Sequence, residues 1–323
     1  MKPLITLVVF VFSVLAGGCS SDGLAPVAYS PSVIATMNIK DMSVSFIDIS
    51  KRKNIAEWDV EKPYNGGIIL PDGDTLLLYG KTLKEADLYS MKKGEKTGSW
   101  KIGKGVVNGL LLSDGKEIVF SNDEGNTIDF YSTKGKQTGQ LHLNAAPLTL
   151  LESGKGDRLF AVSFHDEKLN IINPEERKNI RSFPIHASAA GAVLNEKNNE
   201  VWVGGHGKGS NIEQSIHVYD IETGKLKKQI HAPEMPVNFT KNGSGLFVLS
   251  HGSSTLYKLD TNGAEHGSLR IGANPFEVET VGNILAVAGY DSDDIYLVDP
   301  ENLKIEARIK VGKGPFQIVK GGK

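Results

Sequence analysis

The chain has 323 residues, with 36 Lys or Arg against 38 Asp or Glu, a formal charge of −2, and 40% apolar and 23% charged residues. That balance lacks the basic field a nucleic-acid partner requires, and the composition is that of a globular chain rather than a disordered one. Glycine is in excess at 36 residues, which signals many turns, and a lone cysteine, Cys19, excludes an internal disulfide, a cysteine-built zinc cage and an iron–sulfur site.

At the N-terminus, Lys2 precedes an apolar run from Leu4 to Leu15, followed by Ala16, Gly17, Gly18 and Cys19. A helix of that length reaches about 18 Å, well short of a hydrocarbon core of about 30 Å, so residues 1–18 are expected to be a signal peptide and not a span. Leu15-Ala16-Gly17-Gly18-Cys19 resembles the lipobox of bacterial lipoproteins, with Ala16 where the commonest form has Leu. The resemblance implies cleavage before Cys19, a diacylglycerol on its sulfur, and a lipid anchor in the cell membrane on the extracytoplasmic face. A plain secretory signal with a leftover cysteine is the competing reading; that Cys19 is the sole cysteine favours the lipobox. Residues 19–26 then form a lipidated, flexible tether ahead of a folded unit over 27–323.

From there one short apolar strand recurs, ending in turn at Asp48, Ser90, Ser132, Asn173, Asp220, Asp260 and Asp299. The spacing averages about 42 residues, the length of a four-stranded propeller blade. A second strand precedes each of these, over Ser32 to Asn38, Thr75 to Gly80, Glu117 to Asn122, Arg158 to His165, Glu200 to Gly205, Leu246 to His251 and Ile284 to Tyr290. These runs are apolar on both faces, as strands packed between two neighbours must be. Asp72-Gly73, Asp114-Gly115 and Asn242-Gly243 supply tight turns into them. No segment carries a sustained helical stripe. The expectation is an all-β, seven-bladed β-propeller with four-stranded antiparallel blades. The first blade lacks an innermost strand and Phe316 to Val319 lacks a blade, so the ring closes when the C-terminal strand joins the first blade.

The unit is clearest at Ser215 to Lys225 (SIHVYDIETGK), followed by a strand, a Gly/Pro corner and Leu246 to Ser250. It resembles the YVTN-type seven-bladed propellers, which are extracytoplasmic; the resemblance spans about Val27 to Lys320, is looser in blades two to four, and implies a fold without implying a ligand.

Known chemical signatures are scarce. Gly98 to Lys104 (GSWKIGK) mimics the start of a phosphate loop, but Gly105 stands where Ser or Thr binds magnesium and no helix follows. The chain has no Gly-x-Ser-x-Gly, His-Glu-x-x-His or Cys-x-x-Cys-His motif, and no cofactor is implied. Topology places the second-strand ends over the channel, and there the chain reads Asn38, Gly80, Asn122, His165, His206, His251 and Tyr290. His186 opens a corner at the same end, and Asp291 and Asp294 lie in a loop there. His165, His186, His206, His251, Tyr290, Asp291 and Asp294 are the candidate ligand set. Imidazoles and carboxylates can bind a divalent metal, yet second strands of adjacent blades stand two strand spacings of about 4.8 Å or more apart, too far for a shared ion unless side chains converge. Strand-end hydrogen bonding is the competing role. The insertion His206 to Gln214 is the favoured recognition element, weighed equally against length drift.

The function expected is a membrane-anchored, extracytoplasmic binding or interaction module that takes a protein, peptide or cell-wall ligand through its channel-face loops. The alternative is a propeller enzyme of the metal-dependent lactonase or oxidoreductase kind.

Overall fold

Each repeat folds as a four-stranded antiparallel meander, and the computed structural model, which describes residues 23–321, sets seven of them in a ring, a β-propeller. Second strands carry the core: Leu76 to Tyr79, Ile118 to Phe120 and Val201 to Val203 are buried on both faces because each sheet is covered by two others. Outermost strands are wet, as in Lys178–Pro184, where only Phe183 is buried. Helix among the described residues amounts to one 3-10 turn, Glu196–Asn198, and none among them is long and apolar enough to cross a membrane.

Ring closure follows the sequence expectation. Pro315–Lys320 pairs antiparallel with Val33–Asn38, with Ala35 opposite Val319 and Thr36 opposite Ile318. Because side chains alternate along a strand, Ile318 joins the apolar cluster that holds Ala286 and Ala288 of blade seven's second strand, while Val319 joins the one that holds Ile69 and Leu76 of blade two. One strand thus seals two interfaces.

Two features add to the sequence reading. Leu24 and Ala25, expected in the tether, are already tied to the ring: the Leu24 amide donates to the Gly94 carbonyl at 2.9 Å and the Trp58 indole donates to Ala25 at 2.7 Å. Buried Val27 then wedges the segment against blades one and two. The insertion in blade five is its own two-stranded hairpin, Gly207–Lys208 with Asn211–Ile212, turned by Gly209 at positive φ. Cys19 and residues 1–22 lie outside the described residues.

Innermost strands share a local device. In six of seven blades a β-bulge follows the corner residue, leaving Val107, Leu148, Ala190, Val237, Phe276 and Phe316 unpaired against the second strand. A bulge re-aims a side chain, and here it turns all six toward the channel mouth.

Candidate functional site

The bulged residues, with Asn65 from blade two, surround a cavity of about 280 Å³ at the head of the channel. Below them lies a polar layer: Asn108, Thr149, Asn238, Glu277 and Gln317. Several of these reach the neighbouring blade's backbone. The Val278 amide donates to Asn238 Oδ1 at 2.9 Å, the Gly67 amide to Gln317 Oε1 at 2.7 Å, and the Ile318 amide to Glu277. Gly191 occupies this layer in blade five, because a Cβ there would stand 2.0 Å from the Val237 carbonyl oxygen. The channel wall is therefore a belt of inter-blade hydrogen bonds as well as a lining. Burial, with the charge of Glu279 adding to it and Lys320 opposing, pushes the Glu277 carboxyl well above the usual carboxylate range.

Aromatic rings collar one side of the mouth. Phe164 meets His206 at 5.6 Å between centroids, His206 meets His251 at 5.9 Å, His251 meets Phe276 at 4.9 Å, and Phe276 meets Phe316 at 4.8 Å. These contacts are edge-on or tilted, the geometry aromatic quadrupoles favour. Burial depresses both imidazoles: His206 is lowered further by His251, whereas the Pro275 carbonyl and Asp291 partly restore His251. His206 Nδ1 is buried without a hydrogen-bond partner among the described residues.

The candidate residues do not stay together. His206 and His251 join the collar, and Tyr290 extends it, 5.5 Å from Phe276 and capped by the Lys40 ammonium at 4.1 Å. Asp291 holds that same ammonium at 2.7 Å, a link from blade seven to blade one, and the Lys40 hydrogen bond keeps its carboxyl below the usual range. His165 stays exposed, with its ring 4.9 Å from Phe164. Asp294 is not in a mouth loop: it opens the third strand of blade seven, fully buried, where Arg308 at 2.6 Å and Lys310 at 3.3 Å engage it.

His186 belongs elsewhere again. It lies on blade five stacked on His217, with centroids 4.0 Å apart and planes at 14°. Its backbone amide donates to the Tyr219 hydroxyl at 2.9 Å, and that hydroxyl is 3.4 Å from its Nδ1. Burial, then the neighbouring His217, lowers its pKa to about 4, against a weaker opposing pull from Glu213. His217 Nε2 is 3.2 Å from Glu213 Oε2 in the insertion. Among the described residues, His186, Glu213 and His217 are the group of imidazoles and carboxylates whose donor atoms all fall within 4.8 Å of one another. The histidines at the second-strand ends do not form such a group.

Sequence reasoning missed Phe164, Phe276, Phe316, Asn238, Glu277 and Gln317. A signal existed: a proline, then an apolar residue, then a polar one recurs at Pro147-Leu148-Thr149, Pro236-Val237-Asn238, Pro275-Phe276-Glu277 and Pro315-Phe316-Gln317.

No protein-family model and no curated protein matches the chain. Among solved structures it is similar to a hydrazine synthase chain of Kuenenia stuttgartiensis, with TM-score 0.74 and 14% identity, covering 90% of this chain and 99% of that one. It is also similar to the dihydro-heme d1 dehydrogenase NirN in complex with DHE, with TM-score 0.68 and 12% identity, covering 92% of this chain and 77% of that one. Similarity at this identity speaks to architecture and not to chemistry, since one fold hosts many functions. The chain is a seven-bladed β-propeller closed by its C-terminal strand.

Proposed function

We propose that this protein is a lipid-anchored, extracytoplasmic propeller of the YVTN type that works as a binding module, receiving a protruding group of a protein, peptide or cell-wall ligand at its channel mouth. The observation that carries this reading is the repeated bulge. Six blades break their inner ladder at the same place, and the six side chains so released ring a cavity of about 280 Å³. Half-buried Phe276 and Phe316 offer apolar faces beside the amides of Asn238 and Gln317, the mixture of flat apolar surface and few fixed polar groups by which pockets hold small moieties. The resemblance of Leu15 to Cys19 to a lipobox supports the anchor.

A photoreactive amino acid at position 276 in intact cells tests the binding role. It should yield a discrete adduct that the same probe at position 197, in the 3-10 turn at the opposite end of the blades, does not. Matching adduct patterns at both positions would remove the channel mouth as the binding face. Cys19→Ser tests the anchor, since it should move the protein from the membrane to the soluble extracytoplasmic fraction; membrane retention would rule lipidation out.

A further inference from the structure

We propose that His186, Glu213 and His217 form a binding site for a divalent transition-metal ion, zinc foremost, on blade five and apart from the channel mouth. Two imidazoles and one carboxylate make the N/N/O donor set that zinc takes with three protein ligands and an open fourth position, while magnesium and calcium prefer oxygen donors alone. Tetrahedral ligands about 2.1 Å from an ion stand about 3.4 Å from one another. His217 Nε2 and Glu213 Oε2 already satisfy that at 3.2 Å.

The third ligand has to turn. In-plane lone pairs of two stacked rings do not meet at one point, so the 14° stack must open as an ion enters. His186 is the ring free to move: its Nε2 is buried with no partner among the described residues, and its Nδ1 has the Tyr219 hydroxyl only at 3.4 Å. The other two ligands have the outer partners that metal sites use to fix orientation. Backbone amides of Gln214 and Ser215 donate to Glu213 Oε1 at 3.0 Å each, which leaves Oε2 to the ion. Gln229 Nε2 stands 3.4 Å from His217 Nδ1, and turning that amide over presents its oxygen to the Nδ1 proton once Nε2 is coordinated.

Glu213 gives the site its reach. Its amide donates to the His206 carbonyl at 3.1 Å and its carbonyl accepts from Met235 at 2.8 Å, so an ion on its carboxylate pins the insertion hairpin beside the channel collar.

The test is zinc titration calorimetry on the untagged full-length protein in detergent. The expected result is one equivalent of zinc bound, at least tenfold weaker in both Glu213→Gln and His217→Ala, unchanged in His142→Ala, and no uptake of magnesium at the same concentration. Glu213→Gln alters a loop side chain outside the blade core, so it decides the question if His217→Ala fails to fold. No saturable uptake, or uptake that Glu213→Gln leaves unchanged, overturns the site; neither result bears on photocrosslinking at position 276, so the two readings fail separately.

Discussion

Replacing Ile318 with Ala tests whether the closing strand holds the whole ring or only its own blade. Ile318 is 4% exposed and packs among blade-seven residues although it belongs to blade one. Truncating a buried Ile to Ala costs about 2–5 kcal/mol, the upper part applying where neighbours cannot collapse into the void. Collapse is restricted here, because Ile34, Ala286 and Ala288 of the same cluster are fixed in the ladders of two different sheets. With an unfolding entropy of about 2.1 cal/mol/K per residue, a ring of about 300 residues loses about 1.6 °C for each kcal/mol, so the expected shift in Tm is about 3–8 °C. Val319→Ala, facing blade two, should cost about 2 kcal/mol by the same reasoning. The informative assay is fluorine NMR of 5-fluorotryptophan-labelled protein during heating. Trp58 in blade one and Trp202 in blade five are both fully buried and report from separated parts of the ring. If closure makes the blades one cooperative unit, both resonances shift to the same lower midpoint in Ile318→Ala. A Trp202 transition left at the parent midpoint while Trp58 moves would refute the argument, showing that blades unfold as near-independent repeats.

Three further substitutions follow from the geometry. Glu277→Gln keeps an acceptor for the Ile318 amide but removes the ionisable proton. A carboxyl raised in the folded state stabilises below its unfolded pKa, and that stability fades as pH rises through the folded value, so the variant should gain Tm over the parent at pH 8 and not at pH 4. Asp87 is 1% exposed; burial opposes its charge, but Lys62 at 2.5 Å, Lys96 at 2.7 Å and the Tyr64 hydroxyl outweigh this and hold its carboxyl below the usual range. Its contribution is present above about pH 4 and lost as pH falls through the folded pKa, so Asp87→Ala should cost about 1.5–3 kcal/mol at pH 7 by urea denaturation and shrink the acid dependence. Gly191→Ala, with its Cβ 2.0 Å from the Val237 carbonyl oxygen, should cost about 1–3 kcal/mol and lower Tm without altering zinc uptake.

The blades were legible from sequence because each repeats one burial problem. A second strand packed between two sheets must be apolar on both faces, and the turn after the third strand must stop the ladder, so runs such as Leu76 to Tyr79 and ends such as Asp220 and Asp299 return at a fixed period. The mouth was hidden because it is built by backbone geometry. A bulge releases Val107, Leu148, Ala190, Val237, Phe276 and Phe316 alike, six apolar residues of unequal size whose one repeated mark is the proline that precedes four of them, so apolarity alone does not set them apart from the core. Reading strand ends instead selected histidines that diverge, His165 toward solvent and His206 and His251 into the collar.

The blade-five cluster was hidden for a different reason, although the repeat contained its address. Three residues before each third-strand end stands a polar or hydroxyl-bearing side chain: Ser45, Asp87, Asp129, Asn170, His217, Tyr257 and Tyr296. Each blade fills that slot with its own network. Asp87 takes two lysines, Asp129 takes Thr127 and Gln140, and Asn170 takes Asn179 and Ser182. A buried polar group at a fixed place must be satisfied locally, so its partners change with it from blade to blade. Blade five puts an imidazole there, and the insertion turns back to bring Glu213 onto it while the corner brings His186. A hairpin whose added residues return a carboxylate to the one imidazole-bearing copy of a repeated polar position supplies the local partner that a buried imidazole needs, and with His186 the donor set on which the proposed zinc site rests.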